Sequence, residues 1–269
     1  MKKRVFIIFI MIFAITAIMI FLYLFSVKKN NDRIEELRPD DITYDTDSTE
    51  QGGLRYYIID GVYVQAGMKD LYMQNPDVRG WIMIPNTKVD YPVLQSGEDD
   101  PEFYLSHNFD KKTYLGGSIF ADASADTVFP SSNVILYGHH MADGSQFRQI
   151  MKYEDAEFYE KNKTFWYKTL EGNAKYEVIA AFRTSTNDGD FNFWECIDMD
   201  KEEFDTYISQ CKLRTRYATR ETAEYGDKLL SLCTCAYHTL NGKFIVVAKR
   251  VSYQEIDKTK PPIDVINNN

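Results

Sequence analysis

Two side chains of this 269-residue chain could together make a covalent catalyst: a thiol late in the sequence and an imidazole about a hundred residues before it. The thiols lie in Leu229-Leu230-Ser231-Leu232-Cys233-Thr234-Cys235. Eight residues after Cys235 stands Lys243, followed by the apolar run Phe244-Ile245-Val246-Val247. The imidazole closes Val134-Ile135-Leu136-Tyr137-Gly138-His139. A thiolate is the reactive form of cysteine, and a nearby cation or imidazolium favours it. An imidazole can protonate a departing amine and deprotonate an entering one. A cation aimed at a tetrahedral oxygen stabilises charge that develops only in the transition state. Thiol, imidazole and cation are therefore the parts of an acyl-transfer site.

Each part must be positioned by a strand end. In an extended chain side chains alternate, so Leu230 and Leu232 share one face while Ser231, Cys233 and Cys235 share the other. The leucines belong in a core, which turns both cysteines toward a groove or solvent. His139 and His140 cannot face the same way on a strand, so one of them serves the cysteine face, and Tyr137 shares the face of His139. His107 and His238 sit in loop-like surroundings and carry no motif.

The supporting elements read as mainly β. Strand-like runs cover Gly80 to Ile84, Val89 to Leu94, Gly117 to Phe120, Asn133 to His139, Tyr176 to Thr184, Lys228 to Cys235 and Phe244 to Tyr253, parted by turn signals such as Pro85-Asn86 and Asn241-Gly242. Helical stretches are expected at Met68 to Gln74, in a turn capped by Ser145, at Tyr153 to Asn162 and at Asp200 to Arg214. Many short strands with few helices predict a closed or nearly closed, mainly antiparallel barrel with peripheral helices.

The remaining segments set the context. Residues 1–4 are a basic end, and 5–27 form an almost unbroken apolar run long enough to span hydrocarbon, without the small-residue site of a cleaved leader. Basic residues flank the run on both sides, Lys28 and Lys29 among them. The N-terminal flank has no room for a domain and the other soon turns acidic, which favours a single-pass membrane anchor with the N-terminus in the cytoplasm and the bulk of the chain outside. Residues 28–54 are polar and read as a flexible stalk, 55–255 as the catalytic domain and 256–269 as a disordered tail. A formal net charge of −9 argues against nucleic acid as a partner. Four cysteines in a domain with this much core do not suggest a disulfide scaffold. A metal held by His139, His140, Cys233 and Cys235 is a poor alternative, because a one-residue gap between thiols does not suit zinc. No cofactor is expected.

These residues carry a family resemblance. Val134 to His139, with Asp143-Gly144-Ser145-Gln146-Phe147, resembles the histidine region of sortases, class B in particular, and Leu232-Cys233-Thr234-Cys235 resembles their Leu-Ser-Thr-Cys motif. Asn75-Pro76-Asp77-Val78-Arg79-Gly80-Trp81-Ile82, Val89-Asp90-Tyr91-Pro92-Val93 and Gly116-Gly117-Ser118-Ile119-Phe120 match further family segments, in family order from about residue 65 to 252. The resemblance implies an eight-stranded barrel and a membrane-anchored cysteine transpeptidase. Such an enzyme cleaves an Asn-Pro-x-Thr-type sorting signal of an exported protein at the Thr carbonyl, and passes the thioester to an amine of a peptidoglycan precursor or pilin. Cys235 would be the nucleophile, His139 the general acid/base and Lys243 the oxyanion or substrate cation.

The chain departs from that pattern twice. Cys233 stands where the family has Ser, so Leu230-Ser231-Leu232-Cys233 also imitates the motif; Cys235 is preferred because Thr precedes it and the basic position follows eight residues later. Lys243 stands where sortases carry Arg, keeping the charge without the planar fork of donors. The alternative is therefore a sortase-like binding module with weak or no catalysis. Arg250 lies too far along the strand to substitute.

Overall fold

The computed structural model describes residues 2–39, 53–127, 130–187, 189 and 191–267, in two compact units, Met1–Arg38 and Pro39–Asn269. The first unit is a single helix, α1 (Lys2–Leu37), of which Phe6–Leu37 is long and apolar enough to cross a membrane. Residues 28–37, expected as flexible stalk, instead continue the helix. They hold good helix formers without Gly or Pro, and an Arg33–Glu36 pair one turn apart adds support. Pro39 then disfavours helical backbone at the residue before it. The rest of the expected stalk, 40–52, lies outside the described residues.

In the second unit the chain runs through β1 (Tyr56–Ile59), β2 (Val62–Gln65), α2 (Lys69–Gln74), β3 (Val78–Met83), β4 (Asp90–Leu94), β5 (Ile119–Ala121) and β6 (Asn133–Tyr137). It continues through α3 (Ala156–Lys161), β7 (Thr164–Thr169), β8 (Gly172–Ser185), α4 (Lys201–Arg214), β9 (Leu229–Cys235), β10 (Gly242–Glu255) and β11 (Val265–Ile266). Eight strands close into a barrel in the order β10-β8-β7-β3-β4-β5-β6-β9. Most neighbours are antiparallel, but β4 with β5 and β6 with β9 run parallel. All seven strand-like runs are barrel strands. The eighth, β7, was not legible because only Asn162 and Lys163 separate it from α3 and its contiguous Phe165-Trp166-Tyr167 masks the alternation.

Ile135, Leu230, Leu232, Ile245 and Val246 are fully buried, each contributing about 1.5–3 kcal/mol on folding. Helix α4 begins with a capping box, the Asp200 carboxylate accepting from Glu203 N–H while the Glu203 side chain accepts from Asp200 N–H. Ser145 does not cap the turn after it; its hydroxyl donates to Asp143 at 2.6 Å, and Phe147–Glu154 winds as a 3-10 helix. Asp155 supplies the cap of α3 by accepting from Glu157 N–H.

The expected disordered tail is also corrected. Beyond β10, Ile256 is buried and pairs with Leu54, and β11 lies parallel to β1 in a small sheet with β2. The buried carboxylate of Glu171 accepts from Lys258 at 2.7 Å, and Tyr56 donates to the Lys260 carbonyl. The segment is polar and carries two prolines, which resembles a tail, but a strand edge and a buried anion supply partners that composition does not reveal.

Candidate active site

The parallel pairing of β6 with β9 brings thiol and imidazole to one end of the barrel. Tyr137 is level with Cys233, and two residues further along each chain stand His139 and Cys235, which line one cleft. Past β6 one backbone bond, Gly138 N–H to the Cys233 carbonyl at 3.1 Å, and two side-chain bonds, the Thr234 hydroxyl to the Gly138 carbonyl at 2.8 Å and His140 Nδ1 to the Cys235 carbonyl at 2.9 Å, tie the two chains together. Gly138 faces the packed side, where a Cβ would fall 2.4 Å from Ile119 and 2.8 Å from the Phe147 ring.

The hairpin from β9 to β10 explains the eight-residue spacing of the cation. Lys243 lies directly across from Cys235, and its Nζ donates to Cys235 Sγ at 3.4 Å. The turn is held by Ala236 N–H donating to the Gly242 carbonyl at 2.9 Å. A Cβ on Gly242 would stand 2.1 Å from the Ala236 carbonyl oxygen, so the residue before Lys243 must be glycine.

Cys235, Lys243 and His139 line one cleft of about 500 Å³, together with Leu105, Phe120 and Trp194. The cysteine, the lysine and the histidine are all half-buried. His139 Nε2 donates to the Leu105 carbonyl at 2.8 Å, which fixes the ring and leaves Nδ1 for proton exchange. Tyr137 donates to Asp122 at 2.9 Å on the cleft wall, and burial with that neighbouring carboxylate raises its phenol well above the usual range.

The two cysteines are now distinguished. Strand parity holds, but the outer face of β9 is covered rather than open. Ser231 is fully buried between Tyr207 of α4 and Asn133, with hydrogen bonds of 2.9 and 2.8 Å. Cys233 is 2% exposed, and burial pushes its thiol up to about 12 despite the lowering effect of Lys243. It contributes to the cleft wall as a protonated thiol, whereas Cys235 is accessible beside the cation. Among the described residues, no group of three or more His, Cys, Asp or Glu could hold a metal ion.

The other sequence candidates lie elsewhere. His107 stacks on Phe103 and bonds to its carbonyl, His238 bonds to the Ala236 carbonyl, and Arg250 stacks on Tyr253. Of the two adjacent histidines, His139 lines the cleft and His140 holds the Cys235 carbonyl. Sequence reasoning missed the Leu105 carbonyl and the aromatic wall of Phe193 and Trp194, which act through backbone or distant loops that no local pattern marks.

Fold and site define a thiol acyl-transfer enzyme on a closed barrel. A family model described as the sortase domain matches residues 82–251. A sortase B of Listeria monocytogenes is 34% identical over 172 residues, covering 64% of this chain and 68% of its own length. A sortase B of Staphylococcus aureus is 29% identical over 189 residues, covering 70% and 75%. A crystal structure of sortase B from Bacillus anthracis superposes with a TM-score of 0.69 at 25% identity, over 85% of this chain and 99% of that one. The chain belongs to the sortase family, within class B, whose members are cysteine transpeptidases.

Proposed function

We propose that this transpeptidase attacks the Thr carbonyl of an Asn-Pro-x-Thr-type sorting signal with Cys235. The acyl group then passes to an amine of a peptidoglycan precursor or a pilin lysine. His139, its ring held through Nε2, protonates the departing amine and later takes a proton from the entering one. Lys243 stands 3.4 Å from the sulfur before attack and offers its ammonium to the tetrahedral oxygen during it. The observation that carries this reading is the 3.4 Å contact of Lys243 Nζ with Cys235 Sγ in a cleft that His139 also lines.

In this reading α1 anchors the enzyme with its N-terminus in the cytoplasm, and the barrel works on exported proteins outside the cell. The apolar cleft wall of Leu105, Phe120 and Trp194 suits an extended peptide whose backbone is fixed by a few polar groups. The test is transpeptidation of a panel of labelled signal peptides by the enzyme, with Cys235→Ala as control. A thioester on Cys235 and an amine-dependent product support the reading. Peptide binding without a thioester would leave only a binding module.

A further inference from the structure

The cation beside the proposed nucleophile is itself a nucleophile once it loses a proton. Lysine can do so; the arginine that the family places there cannot. Lys243 Nζ lies 3.4 Å from Cys235 Sγ, and the acyl carbon of a thioester on Cys235 is one bond from that sulfur. The two residues are paired across β9 and β10, so the amine is held beside the sulfur by the sheet and does not arrive by diffusion.

We propose that Lys243 is an internal acyl acceptor, a self-modification site that captures the acyl group from Cys235 when no external amine arrives. The inference rests on the proposed thioester at Cys235. In the step, the neutral Lys243 amine attacks the thioester carbonyl. The C–N bond forms, the C–S bond breaks and the thiolate of Cys235 leaves. The proton shed by nitrogen passes to the His139 imidazole in the same cleft, or to the released thiolate. No electrons are exchanged, and the product is an amide on the lysine side chain.

Placement favours the transfer. A held amine competes strongly with a dissolved one, since well-oriented intramolecular partners reach effective concentrations of about 10⁵ M or more. The consequence is self-limitation: an amide on Lys243 removes the cation beside the sulfur, so an enzyme lacking an acceptor stops after few turnovers.

The test uses the full chain in detergent micelles and a small acyl donor, the N-acetylglycine thioester of mercaptoethanesulfonate, which needs only an accessible thiol. After reaction without amine, the protein is split into two portions, one treated with hydroxylamine, and both are digested for peptide mass spectrometry. The expected result is a hydroxylamine-resistant acetylglycyl group on Lys243 that is lost in Cys235→Ala. In Lys243→Arg, only the hydroxylamine-labile group on Cys235 should remain. A labile adduct on Cys235 with no resistant adduct on Lys243 overturns this inference and leaves the proposed nucleophile standing. Absence of any adduct on Cys235 or Lys243 overturns both. A Lys243 adduct that persists in Cys235→Ala shows direct acylation and also overturns the relay.

Discussion

Removing the Lys243 charge should slow acylation of Cys235 by about a hundredfold. At 3.4 Å, an ammonium and a thiolate attract by about 5 kcal/mol at an effective dielectric of about 20. Both groups are half exposed, so solvent screening leaves roughly 2–3 kcal/mol, or about 30- to 150-fold in rate. Loss of a single oxyanion donor in other acyl-transfer enzymes costs about 10²–10³ in turnover, which agrees in scale. Lys243→Met removes the charge while keeping an unbranched apolar stem against the cleft wall. The assay is single-turnover acylation by a labelled signal peptide, quenched and counted as thioester. Acylation by Lys243→Met within about threefold of the wild-type rate would refute the electrostatic role. Lys243→Arg keeps the charge and adds donors, and should acylate at least as fast as the parent.

Iodoacetamide at neutral pH should label Cys235 and spare Cys233, whose thiol burial pushes up to about 12; Cys233→Ser should retain turnover, and its loss would move the nucleophile to Cys233. His140 is held below its ordinary 6.5 by burial, opposed by its bond to the Cys235 carbonyl, with Arg148 and Arg183 lowering it further. The unfolded chain therefore binds the proton first. Stability should fall as pH drops below about 6.5 toward the lowered folded value, and His140→Phe should reduce that slope in denaturation curves. Gly242→Ala drives a Cβ to 2.1 Å from the Ala236 oxygen, so thermal unfolding should fall by several degrees, from a cost of about 2–4 kcal/mol; an unchanged midpoint would show that the hairpin yields. Lys258→Met leaves Glu171 buried without its cation and should destabilise by about 1–3 kcal/mol in urea titration, whereas a truly disordered tail would show no change.

Much of this enzyme was legible from local pattern. Alternation marked seven of the eight barrel strands, including β6, two residues before His139, and β9, which ends in Cys235, and the unbroken apolar run marked the N-terminal helix. Those features are written in consecutive residues, because the period of a strand or helix is itself local. The pairing of strands is not. Only the parallel register of β6 with β9, level at Tyr137 and Cys233, brings His139 to the cleft that Cys235 lines, and only the antiparallel register of β10 puts Lys243 across from Cys235. Parity placed Cys233 and Cys235 on one face without distinguishing them. The cover over that face buries one thiol and leaves the other beside a cation, a difference of environment rather than of sequence. The C-terminal segment makes the same point: its composition resembled a tail, and it became ordered because β1 and Glu171, far away in the chain, supplied the partners.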